Sequence, residues 1–500
     1  MKTRLIFVFL LVVATLSAKS QVTVFSHTHQ GTTLYYVVDS TGDAAVVSPL
    51  HPELDTVSDE SWYGYTKPQG SVVIPDSVPY GGSNHAVTQV GLRAFFRCDS
   101  VTAVTLPSTL RSIGTHAFLH CHGLTSIVSP EGVTSIGYGG LDDCISLQSV
   151  TLPSTLTTLG HFAFMHNISL QSITLPANLT TIGYSAFYNA RSLTNVVLPE
   201  GLTFLGEFAF SECHALHSVQ FPSTLSVIGG ASFQNDTALV SVVIPEGVDT
   251  IEQWAFYNCS NMPAVTFPST LKAIKQSAFV RCTSLDSIVI PDSVCHIGNL
   301  AFYGCSNLKS IVLPEQLEKV GKWLIWGTRI KNLVVPPHVT SIEVGGLAGC
   351  SFLNVVKLPA TLTTIDDSVF YQTKNVDTIV LGSAVPPTIG NKVFFVYRAV
   401  LVVPCGASSA YSQHPVWSKF PKIIENCDGI NETEADNIKV YVRDGRIIVE
   451  GADDESINVF DVTGRRVENR QLGRGVYLVR IIDRANGTPS NRPAQKVVVM

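Results

Sequence analysis

The 500-residue chain lacks the short motifs that usually mark a catalytic or nucleotide-binding site. It contains no G-x-S-x-G, H-E-x-x-H or Walker A sequence and no EF-hand loop. Its carboxylates are scattered along the chain rather than gathered as an acid–base pair. We therefore expect no enzymatic activity, no catalytic residues and no cofactor.

The chain also lacks a surplus of basic residues and a long apolar segment. Residues 1–20 begin with Lys2 and Arg4, run apolar from Leu5 to Leu16, and end in small residues before Gln21. This pattern is typical of a secretory signal peptide and is too short to span a membrane, and no cysteine follows it for a lipid anchor. Its removal leaves 30 basic against 39 acidic residues, a net charge of -9. We therefore predict an exported chain without a transmembrane segment in its mature form, and neither nucleic acid nor an anionic membrane as its partner.

What the chain does contain is a repeat. Prolines follow one another at steps of 23 residues or a multiple of 23, with two later steps shortened to 22. They are Pro107, Pro130, Pro153, Pro176, Pro199, Pro222, Pro245, Pro268, Pro291, Pro314, Pro336, Pro359 and Pro404. Counted from each proline, apolar residues recur at positions +3, +6, +17, +20 and +22, and Ala-Phe recurs at +10 and +11. This gives about fourteen coils if a divergent first coil at Pro75 is included.

A fixed period of this length predicts a solenoid, because one such unit cannot bury its apolar residues without neighbours. The segment from +17 to +22 has the alternating pattern of a short strand, as in Leu170, Ile173 and Leu175. Stacked coils would align these strands into one parallel sheet roughly 65 Å long, with the phenylalanines stacked behind it. The predicted fold class is therefore a β-rich solenoid, followed by a small antiparallel β-sandwich.

The unit L-x-x-I-x-L-P-x-x-L-x-x-I-G-x-x-A-F-x-x-C resembles the BspA-like leucine-rich repeat across residues 71–405. Members of that family are mostly bacterial surface proteins that bind host matrix proteins, other cells or each other. The resemblance implies an adhesin or internalin-like surface protein. The Ala-Phe pair is altered at Leu324-Ile325, Gly346-Leu347 and Val369-Phe370, and the last coils fade between 382 and 403.

The segments outside the repeat have their own patterns. Residues 21–70 contain a predicted hairpin, Thr32 to Val38 with Ala44 to Val47, which we interpret as the N-terminal cap. Residues 406–437 are interpreted as a C-terminal cap and an acidic linker. Residues 438–500 have the pattern of short strands, and INVFDVTGRRV, GVYLVRI and KVVVM resemble the C-terminal sorting domain of the type IX secretion system. That resemblance implies a Gram-negative source and a protein displayed at the outer membrane or released.

Eight of the 11 cysteines share position +14 or its equivalent. They are Cys98, Cys121, Cys144, Cys213, Cys259, Cys282, Cys305 and Cys350. A column at one position indicates packing, so we predict buried thiols rather than disulfides, since parallel side chains suit a disulfide poorly. Cys405 and Cys427 lie outside the column, and a bond between them is a second prediction.

Aromatic residues at position +12 are the candidate partner-binding site. They are Tyr188, Tyr257, Tyr303, Trp326 and Tyr371, with Trp323 nearby. Tyr303 and Trp326 occupy consecutive coils, so their rings should be neighbours. Clustered exposed rings are common anchors of protein contacts, although the alternative is a second packing layer over the turns.

Two further positions of the repeat hold residues of similar chemistry in several coils. Position −2, on the outward face of the sheet, is mostly Val or Thr, which suits close approach by another protein or reflects β-propensity alone. His120, Asp143 and His166 all lie at +13 of successive coils, within predicted reach of one divalent ion. We interpret these three as ordinary exposed polar residues and predict no metal site.

Together these patterns favour a non-enzymatic protein that is displayed at the surface or secreted. Its expected role is attachment to host matrix, a cell-surface protein or other bacterial cells, including biofilm formation. The alternatives are a carbohydrate-binding or nutrient-capture module, which would need aromatics beside acids and amides in a groove, and a self-associating coat protein.

Overall fold

The computed structural model describes residues 23–50 and 59–427 and six strands between residues 440 and 499. The predicted signal segment and the acidic linker therefore lie outside the described residues. The chain forms two compact units, residues 1–425 and residues 426–500. Among the described residues, no helix has the length and apolar character needed to cross a membrane.

An antiparallel meander of three strands opens the described chain. Its strands are Phe25–His29, Thr32–Val38 and Ala44–Val47, so the predicted hairpin is present. The carboxylate of Asp39 closes the turn between the second and third strands by accepting hydrogen bonds from the N–H groups of Thr41 and Asp43, at 2.8 and 3.0 Å. Ala44–Val47 then pairs in parallel with Ser83–Val90 of the first coil, and Tyr36 is buried. The meander thus covers the first coil by extending one of its sheets.

The extra residues of the first coil form a hairpin of their own. Ser77–Tyr80 pairs antiparallel with Ser83–Val90, and the short 3-10 helix Asp59–Trp62 precedes this coil. Gly81 and Gly82 form the turn with φ of 57° and 85°, values that favour glycine and the tight turns between antiparallel strands.

The solenoid has about fifteen coils, and most coils contribute one short strand to each of two rows of parallel strands, called here the first and second sheet, which are interrupted along their length. The predicted strand at Leu170, Ile173 and Leu175 is not formed, because residues 171–176 have no assigned strand. The first sheet contains the strands predicted around position −3. They are Gly70–Val73, Val101–Thr105, Ser126–Val128, Ser149–Thr151, Asn195–Val197, Ser218–Gln220, Val242–Val243, Val265–Thr266, Ser287–Val289, Ser310–Val312, Asn332–Val334, Val355–Leu358, Thr378–Leu381 and Val400–Pro404. Neighbouring strands pair 23 residues apart, as Ser126 does with Ser149.

The second sheet lies at positions +5 and +6 and was not predicted from the sequence, which indicated a single sheet. Its members are Ser83–Val90, Ser112–Ile113, Ser135–Ile136, Thr158–Leu159, Thr181–Ile182, Phe204–Leu205, Val227–Ile228, Thr250–Ile251, Ala273–Ile274, His296–Ile297, Lys319–Val320, Ser341–Ile342, Thr364–Ile365 and Thr388–Ile389. After the first, each strand has only two residues. The alternation of apolar and polar residues that marks a strand in the sequence is therefore too short to be recognised.

Between the second sheet and the next first-sheet strand, the chain turns twice through left-handed backbone. These turns lie at positions +9 and +13, as at Ser185 with φ of 51° and Asn189 with φ of 62°. Such values are unfavourable for residues with a Cβ. Here each turn also donates an N–H to the next coil, from Asn189 to Ser211 O at 2.8 Å and from Ser185 to Glu207 O at 2.9 Å. The hydrogen bonds between coils therefore continue around the turns and offset the backbone strain.

The core confirms the predicted stack of phenylalanines. Phe187 is fully buried and lies parallel to Phe164 and Phe210, with ring centroids 5.4 and 5.0 Å away. The cysteine column is confirmed as well. Its eight members are buried free thiols, and most donate to a carbonyl one coil earlier, as Cys213 Sγ does to Phe187 O at 3.2 Å.

The end of the solenoid is covered by helix Ser408–Ser412, 3-10 helix Trp417–Lys419 and strand Lys422–Asn426. Trp417 is fully buried and meets Phe394 of the last coils at a ring distance of 5.2 Å. Cys405 and Cys427 are each disulfide-bonded, whereas the other nine cysteines are free.

The described strands of residues 426–500 pair antiparallel with one another. They form a two-stranded sheet, Val440–Arg443 with Arg446–Val449, and a four-stranded sheet. The four strands are Ile457–Phe460, Arg466–Val467, Gly475–Ile481 and Gln495–Val499. The strand positions agree with the pattern read from the sequence, and their assembly into a sandwich stays a prediction.

Candidate interaction surfaces

The outward face of the first sheet exposes a row of valines at position −2. Val128, Val197, Val243, Val289, Val312 and Val334 are 38–66% exposed. In the coils between them this position holds mostly Thr or Gln, and position −4 holds mostly Ser, Ala or Asn. Because the side chains are small and Lys357 is the only charged residue at −2, the face is flat and nearly uncharged.

The aromatic residues at position +12 are less exposed than this row. Tyr188, Tyr257, Tyr303 and Trp326 are half-buried, and Tyr371 is 37% exposed. The structure brings three of the predicted site residues together. Tyr303 and Trp326 are parallel at 6.3 Å, and Trp323 meets Trp326 edge-on at 5.3 Å.

Each tryptophan of this cluster covers a glycine of the next coil. A Cβ at Gly345 would lie 2.5 Å from the Trp323 ring, and a Cβ at Gly349 would lie 2.5 Å from the Trp326 ring. One face of each ring is therefore used in packing between coils, and Trp326 also faces the parallel ring of Tyr303 in the preceding coil. The remaining predicted residues are separate: Tyr188 contacts His166 at 5.7 Å and Tyr371 contacts Phe395 at 5.8 Å.

Tyr257 lines a shallow groove that sequence reasoning did not find. Its other lining residues are Phe208, Gln234, Asn235, Trp254, Asn258 and Arg281. The amides form a chain across coils, because Asn258 donates to Asn235 at 2.9 Å and Asn235 donates to Glu212 at 2.5 Å. The signal in the sequence is the succession Glu212, Asn235, Asn258 and Arg281 at position +13, beside Trp254 at +9.

A histidine and aspartate cluster lies on the same ridge, and its membership differs from the predicted one. Asp143 Oδ2 lies 2.6 Å from His120 Nδ1 and 3.0 Å from His122 Nε2. The predicted third member, His166, instead faces Asp142 at 3.5 Å. The grouping of His120, Asp143 and His166 was therefore wrong, because their side chains leave position +13 in different directions.

Charge and hydrogen bonding in this cluster shift two pKa values. Burial raises the pKa of Asp143, but hydrogen bonds from His122 and His120 outweigh burial and lower the pKa below its usual value. The hydrogen bond to Asp142 raises the pKa of His166. On the other side of the cluster, His122 Nδ1 lies 3.1 Å from Asp99 Oδ1.

The stacked coils, parallel sheets and 23-residue register define a leucine-rich-repeat solenoid, a scaffold that offers extended surfaces for protein interaction. Residues 88–203, 180–302 and 272–398 match the model of the BspA type leucine-rich repeat region. Because these matches cover more than half of the chain, it belongs to the BspA-type leucine-rich repeat family. The match is to a repeat region and indicates no enzyme family.

Solved structures with the same fold include a leucine-rich repeat protein from Bacteroides ovatus. It is 22% identical with a TM-score of 0.55, and the alignment covers 78% of this chain and 98% of that one. A leucine-rich cell surface protein from Faecalibacterium prausnitzii is 24% identical with a TM-score of 0.44, covering 71% and 94% of the two chains. No curated protein matches this chain.

Proposed function

We propose that this protein is a surface-displayed or secreted adhesin that binds host matrix, a cell-surface protein or neighbouring bacterial cells, with attachment and biofilm formation as its roles. The observation that carries this proposal is the exposed valine row of the first sheet. Apolar side chains that stay in water, as those of Val289, Val312 and Val334 do in three successive coils, gain free energy when a partner covers them. Few charges on this face need to be desolvated at the same time.

Export of the chain is part of this proposal. The signal-like residues 1–20 and the resemblance of residues 438–500 to a type IX sorting domain support passage across both membranes of a Gram-negative cell. The solenoid would then face the medium. Host-matrix proteins and other cells would be its accessible partners there.

The two candidate surfaces can be separated by mutation. A triple variant keeps β-branched side chains but makes the sheet face polar; it combines Val289→Thr, Val312→Thr and Val334→Thr. Tyr303→Ala with Trp326→Ala removes the aromatic cluster. Val227→Thr, at an exposed valine of the second sheet, is the matched control. Each purified protein is tested against matrix proteins, glycans and whole cells, alongside a thermal melt.

We expect the triple variant to lose most binding to a matrix protein or cell with an unchanged melting temperature, whereas the control binds normally. Loss of binding only in the aromatic variant, without unfolding, would move the site to Tyr303 and Trp326. Binding to no protein or cell by the unaltered chain would contradict the adhesin proposal.

A second candidate function is carbohydrate binding, and the groove of Trp254 and Tyr257 favours it. Sugars bind through ring stacking and through planar amide or guanidinium donors. The groove provides the rings in Trp254 and Tyr257 and the donors in Gln234, Asn235 and Arg281. A glycan array tests this candidate. Trp254→Ala should then lose glycan binding, while Tyr371→Ala, on an exposed ring of another coil, should keep it.

A further inference from the structure

The cluster of His120, His122 and Asp143 places three metal-ligand atoms close together. One ligand atom from each residue lies within 4.8 Å of the other two. His120 and His122 come from one coil and Asp143 from the next. Parallel stacking at about 4.8 Å per coil is what brings the carboxylate to the two imidazoles.

We propose that these three residues form a zinc site. Two imidazole nitrogens and one carboxylate oxygen are a ligand set that zinc favours, and three protein ligands leave a fourth position for water or a partner side chain. All three residues are partly buried and not fully exposed, so their side chains are already held in place. The site goes beyond adhesion and does not depend on it.

The contacts of His122 support this assignment. Its Nδ1 lies 3.1 Å from Asp99 Oδ1, so a carboxylate already faces the ring nitrogen that would not bind the metal, while Nε2 lies 3.0 Å from Asp143 Oδ2. A carboxylate that holds the far nitrogen of a ligating histidine is the usual outer partner in zinc sites. Asp99 is therefore a positioning residue and His122 Nε2 a ligand.

Negative charge beside the two imidazoles also suits a cation. Asp143 Oδ2 is joined to His120 Nδ1 and His122 Nε2 by hydrogen bonds of 2.6 and 3.0 Å. Zinc would replace these hydrogen bonds, and zinc–ligand bonds of about 2.0 to 2.2 Å would move the ligand atoms slightly farther apart. The carboxylates of Asp99 and Asp143 supply the negative charge.

The test is zinc titration of the purified full chain, prepared without a polyhistidine tag and stripped with a chelator. Calorimetry with zinc chloride should give one tight site per chain. Cobalt(II) in its place should produce the visible absorption of a four-coordinate ion. This spectroscopic readout requires no variant.

Variants assign the site. His120→Ala and His122→Ala should each weaken zinc binding at least tenfold, and Asp99→Asn should weaken it about 10- to 100-fold, as expected for an outer partner. His217→Ala, at an exposed histidine in another coil, should leave affinity unchanged. His122→Gln provides a second variant in case the alanine change impairs folding. Absence of a one-to-one zinc site in the unaltered chain, or equal affinity in the folded variants, would overturn the proposal.

Discussion

At the residue scale, Asp236 is unusual because it is fully buried at the position that a thiol or Asn167 occupies in other coils. Its Oδ1 accepts the Cys213 N–H at 2.8 Å, and Oδ2 has no hydrogen-bond partner. Asn167 at the same position also donates, from Nδ2 to Leu141 O at 3.0 Å. Burial raises the pKa of Asp236 well above its usual range, so the protonated carboxyl can fill the donor role.

We predict that Asp236→Asn stabilises the protein at neutral pH. The folded state keeps the proton of Asp236, whereas the unfolded chain releases it above a pKa of about 3.9. The unfolding free energy of the unaltered protein therefore falls by about 1.4 kcal/mol per pH unit above that value, until the folded pKa is reached. Asparagine cannot ionise, so the variant lacks this loss. Its melting temperature should exceed that of the unaltered protein at pH 7 and match it near pH 4.

Asp249→Asn is the control for this prediction, because Asp249 is exposed in the neighbouring coil. It should change the melting temperature little at either pH. Equal pH profiles for Asp236→Asn and the unaltered protein would show that Asp236 is ionised in the fold.

The thiols make a second prediction at this scale. Cys295 is exposed, whereas the eight column cysteines are buried and burial raises the pKa of Cys305 and Cys350 to about 12. A thiol reagent should therefore label one cysteine per native chain. Nine should react after unfolding without reductant and all eleven after reduction. Rapid labelling of more than one thiol in the native state would contradict the packed column.

At the scale of the repeated element, the stacked phenylalanines should dominate stability. We predict that Phe187→Ala or Phe210→Ala costs about 3 to 5 kcal/mol in denaturant melts, because each ring is fully buried and its removal leaves a cavity. Phe204→Ala is the matched control, since that ring is 42% exposed in the same region. A loss below about 1 kcal/mol at Phe187 would contradict its inward position.

At the scale of the whole molecule, the export prediction concerns residues 438–500. We expect their deletion to leave a folded solenoid that is trapped in the periplasm, because the sorting resemblance lies wholly in this segment and residues 1–425 form a compact unit without it. Protease accessibility on intact source cells, with circular dichroism of the purified chain, measures both parts. Equal surface display of the truncated and full chains would contradict the sorting role.

The repeat made much of the fold predictable from sequence. In a stack of in-register coils, the neighbour of each residue is the residue 23 positions later, so periodicity in sequence becomes contact in space. That relation predicted the phenylalanine stack, the buried thiols and the meeting of Tyr303 with Trp326. It could not predict the second sheet, because strands of two residues leave no alternation to detect.

By itself, then, the sequence determined which positions face inward and which residues of successive coils are neighbours, since burial of apolar side chains at a fixed period allows few arrangements. The tertiary structure decided where side chains point once they leave a turn. His120 and Asp143 share position +13 and lie side by side. His166 has the same position but contacts Asp142, and His122, at position +15, contacts Asp143 instead. Side-chain direction at a left-handed turn depends on rotamers and on adjacent coils, and a one-dimensional period contains no information about either.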